Sequence, residues 1–307
     1  MTVSENGRPV RVVSLSFKNG KSLAEIVRVI DREASQGADL IVLPETWLGQ
    51  QGVPEPIDGP TIIAMSALAE KHGTYIICPI DRTDGQQRLN SAVILDRQGD
   101  VVGVYDKVYP YWSEFNLQPP VEVGLDPVVV DTDFGRVGVA ICFDVNFPEV
   151  WQQLADQGAD LVVWPSAYSA GTALQAHALA HHFSIVTSTQ TGDCQVFDIT
   201  GERILDHQGD DVTVSRVTLD LDRGIYHQNF NLAKRDQLLA ECSSDVELEQ
   251  WLPREQWFVL KAKRPGVSAR ELANRYGLEE LRDYVARSRR DIDQFRVDRQ
   301  QRQVASD

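Results

Sequence analysis

Apolar residues along the first 220 positions follow two alternating rhythms. VRVVSLSF (10–17) reads as a strand. SLAEIVRVIDREASQG (22–37) sets Leu23, Ile26, Val27 and Ile30 on one face of a helix that Gly37 closes. ADLIVLP (38–44) is a continuous apolar run, the mark of a strand buried on both faces. The same grammar predicts helices over 61–72, 148–157 and 172–183. It predicts strands over 74–80, 89–96, 101–108, 136–142 and 160–164, with three more ending near residue 221. Strands alternating with helices define an α/β domain.

Within this pattern QGADLIVLPETW (36–47) and QGADLVVWPSAY (157–168) share QGADL, an apolar triplet and a proline. A common helix-to-strand connection accounts for part of the match. Two β-α-β units about 120 residues apart account for all of it. Both copies set their next residues, Glu45 and Ser166, at the carboxyl ends of strands, where open α/β sheets bind ligands.

Beyond residue 221 the rhythm changes. Residues 232–250 and 253–264 read as helical or irregular, punctuated by Pro253 and Pro265. Ser268 to Glu271 is a capping box, and Gly277 ends the helix it opens. Residues 278–300 predict a highly charged helix with Leu281, Tyr284, Val285, Ile292 and Phe295 on one side. Such a stripe suits an arm packed on the domain or on a neighbouring subunit.

Charge narrows the class. The formal net charge of −15 argues against a phosphate-backbone partner, so no nucleic acid is expected. No run is apolar enough to span a bilayer, and the first ten residues lack the apolar core of a secretory signal, so no membrane association is expected. The four cysteines, Cys78, Cys142, Cys194 and Cys242, form no C-x-x-C pair. A reduced cytoplasmic protein with at most one functionally special thiol is the expectation.

RVGVAICFDVNFPEVW (136–151) delivers Cys142 from an apolar strand into a sharp turn before a helix near Pro148. A thiol at such an elbow can face a cleft, with backbone N–H groups behind it facing an oxyanion. Taken alone, a cysteine is as well explained as a small buried hydrophobe. A thiol nucleophile also needs a base and an electrophilic helper. Glu45 in LPETWLG and Lys107 in YDKVYPYWSEF each follow a strand, although a helix cap and a solvated lysine are their ordinary readings. Tyr111, Trp112, Trp164, Tyr168 and His177 are candidates to line a pocket, and Ser166 and Ala167 to contact substrate. Core packing explains the aromatics nearly as well. Adjacent His181 and His182 point different ways on a helix and make a poor metal site.

Glu in LPETW, Lys in YDKVY and Cys in ICFDVNFPE, in that order, resemble the nitrilase superfamily of carbon–nitrogen hydrolases over roughly residues 8–222. The resemblance implies a four-layer α-β-β-α sandwich over 8–222, and the pattern beyond it reads as a helical C-terminal extension over 223–307. It implies Glu45 as general base, Lys107 as transition-state stabiliser and Cys142 as nucleophile, with the Phe143 N–H as a second oxyanion donor. Glu114 matches the family's second glutamate, with Glu122 the weaker candidate. Val123-Gly124 stands where a Pro-Gly pair is usual, and Asn146 where an arginine is common.

Cys142-Phe143-Asp144 fits the amidase and N-carbamoyl-amide hydrolase branches, whereas true nitrilases tend to carry Cys-Trp-Glu. The implied function is hydrolysis of a linear amide or N-carbamoyl compound through a thioester. A nitrilase or a catalytically silent scaffold are the alternatives. No metal or organic cofactor is implied. The implied partners are a small amide or carbamoyl substrate and further copies of the chain, as a homodimer or larger.

Overall fold

The computed structural model of the protein describes residues 7–50 and 53–304. The chain divides into two compact units, residues 10–221 and residues 222–304 with 7–9.

The first half of the larger unit contains β1 (Pro9–Ser16), α1 (Leu23–Ala34), β2 (Leu40–Val42), α2 (Pro60–His72), β3 (Tyr75–Asp84), β4 (Gln87–Leu95) and β5 (Val101–Asp106). Its second half contains β6 (Val129–Thr132), β7 (Gly135–Val139), α3 (Pro148–Asp156), β8 (Leu161–Ser166) and α4 (Thr172–His181). β9 (Ser184–Thr189), β10 (Asp193–Phe197), β11 (Arg203–Gln208) and β12 (Thr213–Asp220) complete it. Local chemistry sets the helix starts. The Ser22 hydroxyl accepts the Glu25 N–H at the head of α1, and Pro60 and Pro148 occupy the first turns of α2 and α3.

The strands form two six-stranded sheets, ordered β12-β1-β2-β3-β4-β5 and β11-β10-β9-β8-β7-β6. β1, β2 and β3 pair in parallel, and β4 and β5 follow antiparallel. β7, β8 and β9 pair in parallel, and β10 and β11 follow antiparallel. The QGADL repeat is the sequence trace of this doubling: it leads once into β2 and once into β8, each the middle of a parallel triplet.

Leu40 and Val42 face Leu161 and Val163 across a core between the sheets. The alternate residues point outward. Ile41 and Leu43 meet Ile26 and Ile30 of α1 and Met65 of α2, while Val162 and Trp164 meet Trp151 of α3 and Leu174 of α4. This is the four-layer α-β-β-α sandwich. Burial on both faces is why β2 and β8 read as unbroken apolar runs. Four strands follow α4 where three were expected. The additional one, β11, is an edge strand of sequence RILDHQ, largely exposed, and carries too little apolar alternation to be legible.

The smaller unit adds an antiparallel sheet to the helical extension expected here. It has the helices α5 (Leu232–Glu241), α6 (Ala269–Arg275) and α7 (Leu281–Val304), but also β13 (Gly224–His227), β14 (Val246–Leu252) and β15 (Trp257–Ala262) in an antiparallel sheet ordered β13-β15-β14. Residues 246–252 and 257–262, read as helical or irregular, are a hairpin. A register shift between Leu248 and Gln250 breaks the alternation that would mark β14. The unit has its own core of Tyr226, Leu238, Val246, Phe258, Leu260, Ala269 and Ala273. The Ser268 cap is present, its hydroxyl accepting the Glu271 N–H. Among the described residues, no helix is long and apolar enough to cross a membrane.

Candidate active site

Cys142 follows β7 by three residues and opens a 3-10 turn over Cys142–Asn146. Its φ of +49° lies in the left-handed region, which is strained for a side-chain-bearing residue and recurs where a fold must aim a functional group. Two contacts hold the elbow. The Trp164 indole N–H donates to the Cys142 carbonyl at 3.1 Å. The fully buried Asp144 accepts from the Ile141 N–H at 2.8 Å, the Tyr105 hydroxyl at 2.6 Å and the Tyr109 N–H at 3.0 Å. Asp144 therefore ties the cysteine turn to the segment that carries Lys107. Burial raises its carboxyl to about 6 in spite of those donors.

Glu45, Lys107 and Glu114 meet beside the elbow. The Lys107 ammonium donates to Glu45 Oε1 and to Glu114 Oε2, both at 2.7 Å. Asn90 Nδ2, from the middle of β4, bridges Glu45 Oε1 and Glu114 Oε1, also at 2.7 Å each. Glu45 Oε2 accepts from the Ala167 N–H at 2.8 Å, and Glu114 Oε2 from the Tyr111 N–H at 2.7 Å. Lys107 is 1 % exposed. Burial works against its charge, but Glu45, Cys142 and Glu114 outweigh it and hold the ammonium above its ordinary pKa. Burial likewise opposes ionisation of Glu114, and Lys107 overcomes it, so this carboxyl titrates below its usual range. Burial pushes the Cys142 thiol up and the Glu45 charge adds to that, against a smaller opposing pull from Lys107.

Cys142, Glu45, Lys107 and Glu114 share the wall of one cavity of about 540 Å³, together with Tyr111, Phe143, Ala167 and Tyr168. Two expected contacts are placed elsewhere. Trp112 is 75 % exposed, packs edge-on against Phe115 and is not on the wall. Ser166 is fully buried off the wall, its hydroxyl accepting the Tyr168 N–H at 3.0 Å and favouring ionisation of the Cys142 thiol. Ala167 is on the wall, but its N–H is engaged by Glu45. Trp164 and His177 are packing residues: His177 stacks on Trp151 at 4.3 Å and bonds the Val145 carbonyl.

Glu114 is the second glutamate at the cavity, and Glu122 is exposed away from it. The departure at Val123-Gly124 keeps the residue that matters. A Cβ on Gly124 would lie 1.9 Å from the Asp106 carbonyl oxygen, so only glycine fits against the Lys107 strand. Asn146 lines the cavity and donates to the Phe143 carbonyl at 3.1 Å. Sequence reasoning missed Asn90, Asn19, Gln50 and Gln190. None of these carries a local signal that marks it, Asn90 standing beside Ser91 on the buried strand β4.

Residues 14–225 match the family described as carbon-nitrogen hydrolase. A "Nitrilase" from Pyrococcus abyssi is 30% identical over 201 residues, 60% of this chain and 74% of that protein. A "Deaminated glutathione amidase" from Synechocystis is 28% identical over 200 residues, 56% of this chain and 72% of that protein. Among solved structures, an amidase from Nesterenkonia sp. AN1, in which acrylamide has added to the active-site cysteine, superposes with a TM-score of 0.60 at 19% identity, covering 74% of this chain and 99% of that one.

Proposed function

The chain belongs to the carbon-nitrogen hydrolase family, and from that premise we propose that it hydrolyses a linear amide through a thioester on Cys142. The observation that carries this reading is the single cavity holding a thiol at a strained elbow beside a lysine clamped between two glutamates. The relatives that act on amides support it, as does the neighbour whose active-site cysteine takes up acrylamide.

Burial disfavours the Cys142 thiolate, so the thiol proton leaves as sulfur attacks. Glu45 accepts that proton while the Cys142 Sγ–carbon bond forms. Lys107 has three N–H donors, of which the glutamates engage two, leaving one for the carbonyl oxygen as it becomes anionic. The Phe143 N–H is the second donor. The C–N bond then breaks, and Glu45 gives its proton to the departing amine. Water attacks the thioester, Glu45 takes the water proton, and the carboxylic acid leaves as the thiol is restored. Glu114 and Asn90 hold Lys107 and Glu45 in register throughout.

An ammonia-release screen over amides, N-carbamoyl compounds and nitriles tests the reading. For a matched pair, kcat/KM for the amide is expected to exceed that for the nitrile by more than an order of magnitude. Equal or faster nitrile conversion to the acid would reverse the assignment of branch.

The stripe on α7 supports self-association. Val285 and Ile292 lie seven residues apart and Phe295 follows at three, and they are 46%, 49% and 68% exposed. An a/d-like row on an otherwise charged helix suits a second copy of itself. Light scattering is expected to give a dimer or larger assembly, and Ile292→Asp with Phe295→Asp to shift it toward the monomer. A strictly monomeric wild-type protein would refute this.

A further inference from the structure

We infer that the cavity selects amides that carry no anionic group and favours those whose far end is an amine. This inference rests on the amide-hydrolase reading of the site. Among the described residues, Lys107 is the single cation on the cavity wall. It faces Glu45 and Glu114 at 2.7 Å each, so one ammonium against two carboxylates leaves one negative charge uncompensated. The other wall side chains are uncharged.

The neutral polar groups keep acceptors available. Gln50 Nε2 donates to Glu114, Gln190 Nε2 to the Glu45 carbonyl and Asn146 Nδ2 to the Phe143 carbonyl. Each side-chain amide has thus committed one of its two donors to the protein and retains its oxygen as acceptor. The wall's neutral groups both donate and accept, and its surplus negative charge favours a cationic donor. An ammonium finds both hydrogen-bond acceptors and Coulomb attraction there. A carboxylate loses its water, meets no free cation and is repelled. A neutral alkyl end meets neither gain nor penalty.

Three amides of one chain length test this: butanamide, 4-aminobutanamide and succinamate, whose far ends are methyl, ammonium and carboxylate. Each is titrated calorimetrically into the Cys142→Ala protein, and each is assayed for kcat/KM with the wild-type full chain. Succinamate is expected to bind, and to turn over, at least about 100-fold less well than either other compound, with 4-aminobutanamide at or above butanamide. Succinamate binding as tightly as butanamide overturns the inference, whatever the wild-type rates. Absence of turnover for all three, with the expected binding order kept, overturns the hydrolase reading while supporting the charge selection.

Discussion

Cys142→Ala is expected to abolish turnover, by a factor on the order of 10⁴ or more, while the protein stays folded. Removing a nucleophile that acts as one unit with its base removes nearly the whole covalent route. The structural cost is small. Cys142 lies on a cavity wall, so losing its sulfur enlarges an existing space and leaves no sealed void in the core. Alanine adopts the φ of +49° with no more strain than cysteine, and Asp144 and Trp164 hold the elbow through backbone and neighbouring groups that the substitution leaves in place. A stability change of about 1 kcal/mol or less is expected.

Alkylation separates the four thiols. Cys78 and Cys194 are 0% and 1% exposed inside the packed cores, so neither is reachable by an alkylating agent, whereas Cys142 lies on the cavity wall. Cys242 is half-buried beside the Tyr276 hydroxyl in the smaller unit and is reachable from solvent. Iodoacetamide should therefore label Cys142 and Cys242. An amide substrate should protect Cys142 alone, and loss of activity should follow Cys142 modification. Activity retained in Cys142→Ala, or inactivation that follows Cys242, would remove Cys142 from the mechanism.

How much of this was legible depends on where each residue's partners lie along the chain. Glu45, Lys107 and Cys142 each stand just past the end of a strand, so local pattern marks them, and the repeat marks the doubled sheet. Asp144 is different. Its position beside the cysteine is plain in the sequence, but its purpose is a bond to Tyr105, 39 residues away, which only the packing of the two sheets creates. Asn90 reaches Glu45 across 45 residues and Glu114 across 24. Nothing local distinguishes it from a tolerated polar residue on a buried strand. Trp112 fails in the opposite sense. Its neighbours Tyr111 and Ser113 line the cavity, and the short turn over Trp112–Asn116 swings its ring outward. The hairpin of the smaller unit was hidden because short apolar runs fit helix and strand alike, and the bulge in β14 erased the period that decides between them.

Lys107→Met is expected to damage activity and stability together, and a second substitution should separate the two. Methionine matches the length of the lysine stem and leaves Glu45 and Glu114 buried, 5% and 6% exposed, with Asn90 as their remaining shared donor. Breaking a buried ion pair by removing one partner costs about 3–5 kcal/mol, because the other is left uncompensated. One of the two carboxylates then takes up a proton, since like charges sharing a site cannot both stay ionised. If that proton sits on Glu45, the base is lost along with the oxyanion donor. The donor alone is worth ~10²–10³ in rate, so a loss on the order of 10³ or more in kcat/KM is expected. Adding Glu114→Gln removes the surplus charge. The Lys107→Met/Glu114→Gln protein should regain most of the lost thermal stability, because Glu45 is then the one carboxylate in the cluster and its charge meets no like charge. It should remain inactive, because no cation faces the developing oxyanion. A double variant that recovers both stability and turnover would show that Lys107 only neutralises the glutamates, and would move oxyanion stabilisation to the backbone donors of the cysteine turn.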